Sequence, residues 1–267
     1  MAAGASAGPA LAQPSFDVPF VPTPMVVVDE MLRLANVSPD DFVMDLGSGD
    51  GRVVITAAKK FGARGIGVEL DQHMLIQSEE RARQAGVEAR VKFVEQDLFK
   101  TDLSPATVIT MYLFPEVNRR LRLRLLTLNP GTRIVSHDYD LEDWRPDRTS
   151  TIRKKVFLWI VPARVAGRWQ MRLALPPIER LIEIEFTQRY QVVSGSARLN
   201  GVHAPVWEAR LTGARLSFIL VDTSDRDNEA SLYFEGRVAG DAIEGQVTRG
   251  VGKARAIAQW RALRVGQ

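Results

Sequence analysis

Three carboxylates and a run of glycines carry most of the chemical information in this chain. Asp45 stands just ahead of Gly47-Ser48-Gly49-Asp50-Gly51, Glu69 lies within Gly67-Val68-Glu69-Leu70-Asp71, and Asp97 lies within Glu95-Gln96-Asp97-Leu98-Phe99. Glycines after a strand allow a tight turn and let backbone approach a ligand closely. A carboxylate at the end of the next strand can accept hydrogen bonds from both hydroxyls of a ribose. One after the third strand can accept from an adenine amino group. Alone, each is ordinary, a solvated loop residue or a helix cap, and a lone glycine loop is weak evidence. Together, at the carboxyl ends of three successive strands, they describe a nucleoside site. The dinucleotide fingerprint asks for a third glycine where this chain has Arg52, which argues against NAD.

The elements that position these residues follow from periodicity. Pro22 and Pro24 impose an extended segment, and the pattern predicts an amphipathic helix from Met25 to Ala35. Strand and helix patterns then alternate: strand 42–46, helix 52–61, strand 65–70, helix 72–85 with Met74, Leu75 and Ala82 as its stripe, strand 91–95, strand 107–113, helix 116–128 and strand 132–136. Asn129-Pro130-Gly131 stops the last helix. This rhythm implies an α/β fold with a parallel sheet covered on both faces. After about Asp147 the rhythm changes to short alternating runs, among them 181–186, 189–193, 209–211, 216–221, 231–234, 242–247 and 258–263, which suggest a smaller antiparallel β-rich sandwich or barrel. The expected division is a tail at 1–15, a ligand-binding α/β domain at 16–150 and a β-rich domain at 151–267.

The Asp45–Arg52 loop is similar to the first motif of the class I methyltransferases, whose sheet is Rossmann-like. From Phe20 to about Asp147 the chain resembles the ATP synthase c-subunit lysine methyltransferase family and its bacterial relatives. More distantly it resembles the histone methyltransferases of this fold. The matching residues are Val21-Pro22-Thr23-Pro24, Asp45 to Arg52, Gly67-Val68-Glu69, Asp97 and Tyr112-Leu113-Phe114-Pro115. The resemblance covers about half the chain and implies S-adenosylmethionine as cofactor. It places Pro22 and Thr23 over the methionine end. The cofactor set is then Pro22, Thr23, Asp45, Gly47, Ser48, Gly49, Gly51, Glu69, Leu70, Asp97, Leu98 and Tyr112.

Methyl transfer from a sulfonium is an in-line displacement, and alignment alone is worth roughly 7–11 kcal/mol. The acceptor must approach over the ends of the fourth and fifth strands. The fourth ends at Tyr112-Leu113-Phe114-Pro115 and not at the Asn-Pro-Pro-Tyr of many adenine-N6 and glutamine methyltransferases. Tyr112 and Phe114 could instead wall an apolar channel, which favours a deprotonated lysine amine because burial lowers a lysine pKa. The fifth strand ends at Ser136-His137-Asp138-Tyr139-Asp140, where His137 or Asp138 could take a proton or orient the acceptor. Tyr112, His137 and Asp138 are therefore the catalytic candidates. Trp144 is a candidate cover for the site. The acceptor is a protein lysine or a small molecule that the β-rich domain helps to bind; a non-catalytic cofactor-binding protein is the third reading.

Composition sets the remaining bounds. With 267 residues, 45% hydrophobic, a sizeable core is available without metal or disulfide, and the absence of Cys removes thiol nucleophiles and thiolate metal sites. No metal site is expected. The net charge of +3 comes from scattered Arg. Arg119, Arg120, Arg122 and Arg124 cannot all share a helix face, and nucleic acid is not the expected acceptor. Trp159, Trp169, Trp207 and Trp260 read as core of the β-rich part or as the mouth of a barrel that binds an apolar ligand. No apolar run is long enough to span a bilayer, and the expected location is cytoplasmic. Ala10-Leu11-Ala12 before Gln13 resembles a signal-peptide cleavage site, and residues 1–12 as the end of such a peptide would mean export.

Overall fold

The computed structural model describes residues 21–175, 178–223, 230–250 and 255–266. The tail at 1–15, its cleavage-like pattern and Phe20 lie outside the described residues.

The first sheet holds β1 (Phe42–Leu46), β2 (Arg64–Glu69), β3 (Val91–Glu95), β4 (Val108–Met111), β5 (Arg133–His137), β6 (Arg148–Ile152) and β7 (Lys154–Ile160) in the order β3-β2-β1-β4-β5-β7-β6. The first five are parallel. β7 runs antiparallel to β5, and β6 antiparallel to β7. The strand order reverses between β1 and β4, the place where open α/β sheets bind ligands at the carboxyl ends of their strands. Strands buried on both faces feed two cores alternately. Val43, Val108, Val135 and Val156 lie in one core with residues of α1 (Met25–Leu34), α2 (Arg52–Phe61) and α3 (Gln72–Ala85). Met44, Ile109, Ile134 and Trp159 lie in the other with Leu121 and Leu125 of α4 (Pro115–Leu125). The buried face of α3 is Ser78 and Ala82, while Met74 and Leu75 are only half-buried. Ser78 belongs there because its hydroxyl donates to the Gly49 carbonyl at 2.9 Å.

The first sheet continues to Ile160, past residue 150, where the change of periodicity divides the chain. β6 and β7 are antiparallel and follow no helix, so their pattern matches the β-rich part that comes after. Trp159 accordingly sits in the first sheet.

The second sheet contains β8 (Gly167–Leu175), β9 (Ile178–Arg189), β10 (Val192–Leu199), β11 (Val202–Pro205), β12 (Trp207–Thr212), β13 (Arg215–Asp222), β14 (Ala230–Ala239), β15 (Ala242–Arg249) and β16 (Ala256–Arg264). Its order is β11-β10-β9-β8-β16-β15-β14-β13-β12, antiparallel throughout. β10 lies against β12 and β11 against β13, so the sheet is nearly closed. Its interior is filled: Phe218 stacks on Phe234 at 4.7 Å, and Trp260 meets both edge-on. Trp169 and Trp260 are core residues, whereas Trp207 is exposed. The run 189–193 is not one strand but the β9–β10 hairpin, with Tyr190 at φ 56. An aromatic residue in the left-handed region gives no glycine signal for a turn.

That hairpin docks on the loop after β5. Tyr190 stacks on Trp144 at 5.8 Å, the Trp144 Nε1–H donates to Gln191 Oε1 at 3.0 Å, and the Gln191 amide donates to the Arg145 carbonyl at 2.7 Å. Trp144 is thus fully buried between the sheets and is not a cover over the strand ends. No helix among the described residues is long and apolar enough to cross a membrane.

Candidate active site

The glycine loop is held by its own backbone and by Glu69. The N–H groups of Gly47 and Ser48 both donate to the Val68 carbonyl, at 2.9 and 3.0 Å. The Gly49 N–H donates to Glu69 Oε2 at 2.8 Å. Glu69 Oε1 accepts from the N–H groups of Leu70 and Asp71. Gly51 sits at φ 75, where a side chain would also lie 2.6 Å from the Phe93 ring, so this position requires glycine twice over. The Ser48 hydroxyl is tucked beneath the loop, 2.6 Å from where a side chain on Gly67 would begin, and finds no partner among the described residues.

Asp45 is buried on β1, directly across from Thr110 on β4, whose hydroxyl donates to it at 2.6 Å. Burial pushes its carboxyl up to about 7. The negative charges of Glu69 and Asp50 add to this, and the Thr110 bond offsets only part. Burial also acts on Asp50, but hydrogen bonds and charge from Arg52, with the charge of Arg81, outweigh it and hold that carboxyl below the usual range. Arg52 grips Asp50 with Nε and Nη2, at 2.8 and 2.6 Å, and Arg81 pairs with the same carboxylate. The remaining arm of Arg52, Nη1, donates to the Thr23 carbonyl at 2.8 Å. This ties the segment before α1 to the glycine loop. Pro22 is exposed beside it.

Asp97 follows β3 in a tight turn, its Oδ1 accepting from the Phe99 N–H at 2.8 Å. Leu98 is half-buried and Leu70, on the neighbouring turn, is 64% exposed. Arg124 of α4 donates to the carbonyls of Leu98, Phe99 and Thr101, and Arg120 lies over the Phe99 ring at 3.8 Å. Arg119 pairs with Glu116, and Arg122 with Glu142 and Asp143. The arginines of α4 therefore brace the turns on either side of the strand ends and do not form a free basic groove.

At the ends of β4 and β5 four rings gather. Tyr112 and His137 have centroids 4.0 Å apart, and Tyr139 lies 6.2 Å from Tyr112 and 6.4 Å from Phe114. The Tyr139 carbonyl accepts from Ser136 Oγ at 2.5 Å and from the buried Asn118 amide. His137 is buried; Nδ1 lies 3.2 Å from the Thr23 hydroxyl, and Nε2 has no partner among the described residues. Burial, helped by the charge of Lys154, holds its pKa below the ordinary value against the pull of Asp138. Burial and the charge of Asp138 push Tyr112 up. Asp138, at φ 66, turns to an ion pair with Lys154 at 2.8 Å and makes no hydrogen bond to the His137 ring. Thr23, Tyr112 and His137 are thus brought together, and Asp138 is directed to the rim. Thr110, Tyr139, Lys154 and the Asp50–Arg52–Arg81 cluster were not singled out from sequence. Only Asp50-x-Arg52 left a signal there, inside the loop motif itself.

The donor set decides what the loop can hold. A phosphate needs unspent N–H groups at a helix start, and those of Gly47, Ser48, Gly49 and Gly51 are all engaged within the protein. Three carboxylates, Asp45, Asp50 and Glu69, crowd the same place. The site suits a cationic nucleoside, and S-adenosylmethionine carries an adenosine, an ammonium and a sulfonium.

Comparison with known proteins agrees. Residues 45–148 match the ANTKMT methyltransferase domain family. A protein-lysine N-methyltransferase of Saccharolobus islandicus is 40% identical over 151 residues, 54% of this chain and 94% of that protein. The mouse lysine N-methyltransferase of the ATP synthase c-subunit is 34% identical over 134 residues, and the chain spans about half (53%) of its length. The crystal structure of an RNA methyltransferase from Salinibacter ruber in complex with S-adenosyl-L-homocysteine is 49% identical, with a TM-score of 0.53, over 54% of this chain and 96% of that one. With its glycine loop, its three strand-end carboxylates and a match to nearly the whole of the Saccharolobus protein, the chain belongs to this family of class I S-adenosylmethionine-dependent methyltransferases.

Proposed function

We propose that the chain methylates a lysine amine on a protein. The observation that carries this reading is the cluster of the Tyr112, Phe114, Tyr139 and His137 rings at the ends of β4 and β5, with His137 Nε2 buried and unpartnered among the described residues. Aromatic surroundings favour the neutral amine over the ammonium, and an unspent imidazole nitrogen offers the amine a hydrogen bond. The two relatives named for lysine methylation support the same reading.

In this account Glu69 takes the ribose hydroxyls, and Leu70 and Leu98 flank the adenine whose amino group meets Asp97. Asp45 faces the cationic methionine end below the Thr23 strap, with Gly47, Gly49 and Gly51 giving backbone access. Ser48 serves from beneath as packing. When bound, S-adenosylmethionine supplies an electrophilic methyl group. The protein binds, orients and excludes water, and Asp138 holds Lys154 at the rim. Residues up to Ile160 form the catalytic unit, and the near-closed second sheet, through Tyr190 and Gln191, fixes the loop that follows His137.

The test is transfer of labelled methyl to a fractionated lysate, followed by sorting of the label. Label in protein hydrolysates as N-methyllysine is the expected outcome. Label in RNA, as the naming of the Salinibacter relative would suggest, or in small molecules, overturns the lysine assignment.

A further inference from the structure

We propose that Thr23 is a positioning residue for methyl transfer: its hydroxyl accepts the Nδ1 proton of His137 and so leaves the buried Nε2 as a bare lone pair for the acceptor amine. This rests on the lysine reading above.

Thr23 and His137 are 114 residues apart in sequence, both are buried, and they meet at 3.2 Å. Either atom could donate, and the surroundings choose. Were Thr23 the donor, the ring proton would sit on Nε2, a buried N–H with no acceptor among the described residues. Orphaned buried N–H groups are rarer than under-used acceptors. With the proton on Nδ1, the Thr23 oxygen accepts it, and only a lone pair is left unmatched until an amine arrives.

Thr23 cannot drift from this contact. Its carbonyl accepts from Arg52, and the next residue, Pro24, opens α1 by accepting from the N–H groups of Val27 and Val28. Tyr112, 4.0 Å away, packs against the imidazole. Asp138 pairs with Lys154 and does not compete for Nδ1. Three links, Asp50 to Arg52 to Thr23 to His137, run from the glycine loop to the acceptor side, so the segment that covers the donor also sets the ring that meets the acceptor.

In the reaction the neutral amine points one N–H at Nε2, and its lone pair forms the N–C bond as the C–S bond breaks with its electron pair remaining on sulfur. The methylated nitrogen, now an ammonium, gives its extra proton through Nε2 to water.

The test reads the tautomer first, in the ligand-free chain, where it does not depend on the acceptor. The chain has three His, and His73→Gln with His203→Gln leaves His137 as the sole imidazole. Long-range ¹H–¹⁵N correlation at pH 8 should show the Nδ1–H form, and Thr23→Val should release the ring to both tautomers. At saturating cofactor, Thr23→Val should lower kcat about tenfold or more, within the range of general-base effects, and Thr23→Ser should restore it. An Nε2–H form in the unsubstituted Thr23 chain overturns the proposal. So does a Thr23→Val chain with unchanged tautomer and unchanged kcat. Failure of the lysine reading shows differently, as absence of protein methylation by the wild-type chain.

Discussion

Asp45→Asn should make the ligand-free protein more stable while weakening its hold on the cofactor. Asn keeps the side-chain shape and an oxygen for the 2.6 Å bond from Thr110, but it cannot ionise. In the fold the Asp45 carboxyl ionises near 7, against 3.8 for the exposed group, because it is buried and faces the charges of Glu69 and Asp50. At 1.36 kcal/mol for each pH unit between those values, holding the carboxylate ionised at pH 8 costs about 4 kcal/mol. Local relaxation reduces the recoverable part, and a gain of about 2–4 kcal/mol is expected. The sign follows from a raised folded pKa in an acid. The penalty is nearly absent below pH 4, where both states hold the proton, grows as the pH rises from about 4 to 7, and is complete above 7. At about 2–4 °C per kcal/mol for a chain of this size, Asp45→Asn should raise Tm by about 5–10 °C at pH 8 and leave it nearly unchanged at pH 4. Scanning calorimetry at both pH values reads this directly. The same variant should bind S-adenosylhomocysteine about tenfold or more weakly, the scale of one charged hydrogen bond. A lower Tm at pH 8, or an equal gain at both pH values, would refute the argument that burial, with the charges of Glu69 and Asp50, makes the Asp45 carboxylate costly until a cationic ligand offsets it.

Glu69→Ala should weaken S-adenosylhomocysteine by about 1.5–3 kcal/mol without creating NAD affinity; calorimetric titration that finds wild-type affinity removes the ribose assignment. Tyr112 stands in both the cofactor set and the catalytic set, and its ring packs on His137; if it serves the acceptor, Tyr112→Ala should raise the acceptor KM and lower kcat while cofactor affinity stays near wild type, and equal loss in cofactor binding would place Tyr112 with the donor instead. A chain ending at Val161 should fold and bind cofactor, whereas one ending at Asp147 lacks β6 and β7, bares the edge of β5 and should aggregate; circular dichroism and light scattering distinguish the two.

Short buried strands followed by glycine or helix caps were legible in sequence, and Phe42–Leu46 and Val91–Glu95 lie where periodicity put them. The limit of the first sheet was not, because Arg148–Ile152 and Lys154–Ile160 follow β5 with no helix between them and so read as the start of the strand-only region, although they extend the first sheet from its β5 edge. The turn at Tyr190 was hidden for a related reason, a β-forming residue in a left-handed conformation. The glycine loop and its carboxylates announce themselves by type and spacing. The Thr23–His137 contact and the Arg81–Asp50 pair join segments separated by 114 and 31 residues, and no local pattern encodes such meetings. Thr110 left a faint mark as the one hydroxyl in the apolar run Val108-Ile109-Thr110-Met111. The α4 arginines showed the opposite behaviour: a conspicuous cluster in sequence, each with a partner inside the protein.

The most direct measurement is calorimetric titration of the full chain with S-adenosylhomocysteine and, separately, with NAD. The account predicts one site with micromolar-range affinity for the former, on the order of −8 kcal/mol, and no heat from the latter. Absence of heat with S-adenosylhomocysteine at millimolar concentration, or binding of NAD in its place, would contradict it.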